Sequence, residues 1–151
     1  MGNICRSPIA ATVMQALLAD AGLADQVAVS SAGTGGWHAG GPADERTLEV
    51  LAAHGYDGTD HLARQFDPSW FDDLDLIVAM DDDNLRTLRR MAPPEAFDRV
   101  VLLRSFDPAA SPGDLEVPDP YYEGRAGFEH VFAMIEAACR GLLEFVRDQL
   151  A

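Results

Sequence analysis

A chain of 151 residues with 48% hydrophobic and 24% charged side chains is long enough to bury about two thirds of its unfolded surface around one core, and residues 1–151 read as a single domain. The formal net charge of −14 argues against nucleic-acid and anionic-membrane partners, which need Lys and Arg to neutralise phosphates. No apolar run approaches the roughly 20 residues of a membrane span, and no signal peptide precedes the first helical pattern, so cytoplasm is the default location and export without a signal peptide stays open.

The first eight residues carry the strongest local signal. Gly2 and Asn3 tolerate positive φ, Arg6 offers a fork of donors, and Ser7-Pro8 reads as an N-cap followed by the first helical position. A turn of this kind running into a helix N-terminus is an anion cradle, because backbone N–H groups, the helix dipole and a guanidinium converge on one point. Such loops transfer phosphoryl groups when a Cys thiolate stands at their base, six residues before the Arg. Counting six back from Arg6 passes Met1, so the nucleophile and the strand that should feed the loop are expected upstream of the chain.

Ile9, Val13, Leu17 and Leu18 continue at helical spacing until Gly22. Val27 to Ala32 reads as a short strand, followed by a loop with five glycines in the nine residues 33–41 and Trp37 among them. Trp37 either folds onto the core or walls a substrate site. Pro42 to Glu45 opens a second helix that ends at Gly55. His61, in a stretch without period, is read as a hydrogen-bonded structural residue, and Pro68 to Phe71 as a turn or short helix.

Asp75 to Met80 is the clearest strand, apolar throughout as a parallel strand covered on both faces would be. Asp81-Asp82-Asp83 then caps a third helix and is read as a solvated N-terminus, not a metal site. Arg99 to Leu103 is another buried strand, Ser105 to Tyr122 a long Pro-rich loop, and Gly127 to Leu150 a closing helix. Of the two cysteines, Cys5 belongs to the loop and Cys139 reads as a small buried hydrophobe. No metal and no cofactor are expected. Alternating helices and strands indicate an α/β fold, a doubly wound parallel sheet flanked by helices, with its first central strand absent from 1–151.

The segments Gly2-Asn3-Ile4-Cys5-Arg6-Ser7-Pro8, Ser31-Ala32-Gly33-Thr34, His61-Leu62-Ala63-Arg64-Gln65 and Asp119-Pro120-Tyr121-Tyr122 resemble, in order and spacing, the low-molecular-weight protein-tyrosine phosphatases. The resemblance implies hydrolysis of phosphotyrosine proteins or small aryl phosphates through a phosphocysteine. Arg6 and the loop residues Gly2, Asn3, Ile4, Cys5 and Ser7 would bind phosphate, and Asp119 would be the general acid and then the base. Trp37, Tyr121 and Tyr122 would wall the aryl ring, with a core position for Tyr122 as the alternative. Asn3, Ser7, Ser31 and His61 would support the loop, and Cys5 would be an auxiliary thiol. Without the upstream Cys, the chain 1–151 is expected to be poorly stable and inactive. The competing readings are a phosphate-binding pseudophosphatase and, further off, an arsenate reductase. Oligomeric state is not legible.

Overall fold

A computed structural model describes residues 2–36 and 38–151. Four α-helices, α1 (Arg6–Asp20), α2 (Glu45–Ala53), α3 (Asp82–Met91) and α4 (Arg125–Leu150), surround a parallel pair of strands, β1 (Ile77–Ala79) and β2 (Val100–Leu102). Short 3-10 turns cover Pro68–Asp72, Pro94–Arg99 and Leu103–Phe106. This is the expected α/β architecture, with Ile77, Val78 and Ala79 in register with Val100, Val101 and Leu102. No helix among the described residues is long and apolar enough to cross a membrane.

Two apolar clusters hold these elements together. In α1, Ile9, Val13, Met14, Leu17 and Leu18 are buried at the spacing that makes one helical stripe. They meet Val131, Phe132, Ile135 and Leu142 of α4. A second cluster of Phe71, Ile77, Leu88 and Val100 seats α3 and the 68–72 turn against the sheet.

Residues 27–32 do not form the expected strand. β-structure needs a ladder partner, and the pairing in this region is confined to one bridge between Gly33 and Gln65. Among the described residues β1 pairs only with β2. Val27, Val29, Leu76 and Val78 instead line a cleft of about 1050 Å³ that also reaches Ala10 and Met14 of α1 and Val146 of α4. Residues 27–32 have strand-forming side chains but no ladder partner among the described residues.

The start of α1 also differs from the sequence reading. The helix begins at Arg6 with Cys5 at the N-cap, so Ser7 and Pro8 lie inside the first turn. Ser7 does not cap because its hydroxyl is engaged by Asn3.

At Gly141, α4 touches the 103–106 turn so closely that a Cβ would fall 1.8 Å from the Phe106 carbonyl oxygen. Gly141→Ala must therefore push the helix away from the turn. The expected cost is about 1–3 kcal/mol of stability, read from the urea unfolding midpoint.

Candidate active site

The loop before α1 turns on Asn3, whose φ of 63° lies where Asn is among the few tolerant residues. The same side chain ties the loop to the first turn of α1 and to two distant segments. Its Nδ2 donates to Ser7 Oγ at 2.7 Å and Ser31 Oγ at 3.0 Å, and its Oδ1 accepts from the Arg64 amide at 3.0 Å. The Asn3 carbonyl accepts from His61 Nε2 at 2.6 Å. A carbonyl can only accept, so this ring nitrogen carries the proton. Burial lowers the His61 pKa, the hydrogen bond to Asn3 works the other way, and the Arg64 charge adds to the lowering.

Further contacts hold the loop from the α2 side. The Asp44 amide donates to the Ile4 carbonyl at 2.9 Å, and Thr47 Oγ1 donates to the Cys5 carbonyl at 3.4 Å. At Gly2 a Cβ would meet His38 Cδ2 at 2.6 Å, so only glycine fits without a shift there.

Helices α2 and α3 are closed by the side chains of Asp44 and Asp81, whereas α1, like α4, has no side-chain cap. The first amides of a helix have no partner within it. At α1 they can receive an anion, at the positive end of the dipole.

Arg6 is 4% exposed and its Nη1 donates to Asp81 Oδ2 and to the Val117 carbonyl, both at 2.7 Å. No hydrogen bond from its Nε or Nη2 is formed among the described residues, so these donors remain for an anion. Burial pushes the Asp81 pKa upward, but the Asn84 amide and Arg6 outweigh it, and the carboxyl stays below its ordinary value. Asp81 thus holds a cap and a counter-charge at once. The sequence reading saw only the cap, although its place just after the carboxyl end of β1 was a signal, since ligands of α/β sheets gather at that edge.

Arg6, Asp119 and Tyr121 line one cleft together with Gly2, Asn3, Ile4, Cys5, Ser7 and Ser31. Asp119 is exposed and its Oδ1 accepts from the Tyr121 amide at 3.1 Å. Tyr122 also reaches the cleft but is 95% exposed, which rules out a core position. Its ring stands edge-on to Tyr121 at 5.0 Å. Trp37 lies outside the described residues.

Cys5 is buried, and its thiol is pushed up to about 11 by burial first, then by the charges of Asp44 and Asp119. Cys139 is pushed up to about 12 by burial and by Glu136. Both shifts disfavour the thiolate.

The chain resembles known proteins over its whole length. A family profile described as low molecular weight phosphotyrosine protein phosphatase matches residues 1–151. A low molecular weight protein-tyrosine-phosphatase of Streptomyces coelicolor is 60% identical over 150 residues, which make up 99% of this chain and 91% of that protein. Low molecular weight protein-tyrosine phosphatase A of Mycobacterium tuberculosis is 49% identical, over 99% of this chain and 90% of its own. The crystal structure of a protein tyrosine phosphatase from Entamoeba histolytica superposes with a TM-score of 0.93 at 34% identity, covering 100% of this chain and 95% of its own. These alignments take in Cys5 and lend no support to the expectation of an absent strand and nucleophile.

A pH dependence follows from His61. Its pKa is lowered in the fold from the ordinary 6.5, so near and below that pH the unfolded chain binds more protons and stability falls with acid. Between pH 7 and 5, His61→Gln is expected to flatten the loss of urea stability relative to wild type; equal slopes would remove His61 as the cause.

Proposed function

Since the chain belongs to the low molecular weight phosphotyrosine protein phosphatase family, we propose that it hydrolyses phosphotyrosine proteins and small aryl phosphates through a phosphocysteine intermediate. What carries this reading is one cleft holding an uncapped helix N-terminus, a counter-charged Arg6 and an exposed Asp119. Residues 1–151 act as one domain in this scheme.

In the first step a thiolate sulfur attacks phosphorus in line as the bond to the phenolic oxygen breaks. Asp119, protonated, gives its proton to that oxygen. In the second, Asp119 as carboxylate takes a proton from water, the water oxygen attacks phosphorus, and the S–P bond breaks to release phosphate and thiolate. The free amides of α1 and Nε and Nη2 of Arg6 hold the equatorial oxygens, where charge collects in the transition state. Tyr121 and Tyr122 face the aryl ring. Asn3, Ser7, Ser31 and His61 keep the loop in shape with the cleft empty.

For the thiolate we propose a cysteine side chain standing at the base of the anion loop, in the cleft between residues 27–31 and β1. Two observations favour it: the cleft runs from Val27 and Leu76 to Gly2, and both cysteines of the chain are buried with raised pKa values. Cys5 adjoins Arg6, too close to stand beneath the same phosphate. The burial of both cysteines equally favours a second reading, a module that binds phosphate without turnover.

Turnover of 4-nitrophenyl phosphate separates these readings. Protein with a cysteine thiolate in that cleft is expected to be active and protein without one inactive. Activity of 1–151 that Cys5→Ser abolishes assigns the thiolate to Cys5. Phosphate stabilisation without turnover in either protein selects the binding module. In the active protein, Arg6→Ala and Asp119→Asn are each expected to lower kcat/KM by about a hundredfold or more.

A further inference from the structure

The loop bearing Asp119 is exposed and irregular, yet it is fastened on both sides. Upstream, the Val117 amide donates to the Met80 carbonyl at 2.7 Å and the Val117 carbonyl accepts from Arg6. Downstream, the fastening is Arg46. Its Nε and Nη2 donate to the two oxygens of Asp44 at 2.9 Å each, and its Nη1 donates to the carbonyls of Tyr121 at 2.7 Å and Glu123 at 3.0 Å. The guanidinium lies 4.6 Å from the Phe128 ring centroid and 5.4 Å from that of Tyr121. Asp44, whose carboxyl Arg46 engages, is the residue whose amide holds Ile4 in the anion loop.

We propose that Arg46 is a positioning residue that fixes Asp119 over the anion loop, an inference resting on Asp119 as the proton donor. The chain of contacts is continuous. Arg46 fixes the Tyr121 carbonyl, and the Tyr121 amide in turn holds the Asp119 carboxylate. A planar fork is needed, because the guanidinium binds a carboxylate with one edge and two carbonyls with the remaining donors while stacking on rings. A lysine offers the charge without the fork. Asp44 and Asp119 both act on Cys5, raising its pKa after burial does, while Arg46 opposes them.

The test is the dependence of kcat/KM on the leaving group in Arg46→Met and Arg46→Lys, made in the active protein. Phenolate needs a proton to depart and 4-nitrophenolate hardly does. Activity on phenyl phosphate is expected to fall about tenfold or more, and on 4-nitrophenyl phosphate by less than about threefold. Lys is expected not to rescue, and inhibition by inorganic phosphate to stay within about twofold. Equal losses on the two substrates, or weaker phosphate inhibition in place of the leaving-group effect, would overturn the proposal. Amide hydrogen exchange at Tyr121 gives a readout independent of turnover. Faster exchange in Arg46→Met is expected, and unchanged exchange sinks the tether. Faster exchange with no turnover by any protein, wild type included, overturns the phosphatase reading and supports the tether.

Discussion

An anion loop must keep its shape when no anion is present, and here that requirement falls on the side chain of Asn3. Backbone donors left without partners at a helix start favour local collapse or capping, either of which would close the site. Asn3 prevents this by engaging Ser7, Ser31 and Arg64 with its side-chain amide while its backbone carbonyl accepts a hydrogen bond from His61 Nε2. The residue also accepts a left-handed conformation that most side chains resist. The turn before α1 is thus held from outside itself.

Charge is managed in the same way. A chain of net charge −14 repels anions at long range, so attraction must be local and protected from the surrounding carboxylates. Arg6 is buried with one nitrogen committed to Asp81 and Val117, which fixes the direction of the others. Its pairing with a partly exposed Asp81 makes burial of the guanidinium tolerable, since losing one partner of such a pair costs about 3–5 kcal/mol. Arg46 repeats the pattern on the other side of the loop, with Asp44 as counter-charge and two carbonyls as targets.

The sequence disclosed what is local. Helical stripes, the buried strand at 77–79 and the N-capping aspartates follow from patterns within a few residues, and the four separated motifs placed the chain in its family. What it concealed is non-local. Val27 to Ser31 has strand composition, but no residue there can say whether a partner lies alongside. Ser7 has the look of an N-cap until Asn3 is seen to claim its hydroxyl. Asp81 reads as a cap because its second oxygen serves Arg6, far away in sequence. The pairing of Arg46 with Asp44 is local, but its tether was hidden because both its carbonyl targets lie beyond residue 120. Tyr122 could not be sorted between wall and core without its 95% exposure.

The most direct test of the anion site is a titration of inorganic phosphate into the nitrogen-15-labelled chain, following the backbone amides by NMR. The account predicts one saturable site per chain whose largest shifts fall on the amides of residues 3–7. Saturable shifts elsewhere with these amides unmoved, or no binding at all, would contradict it.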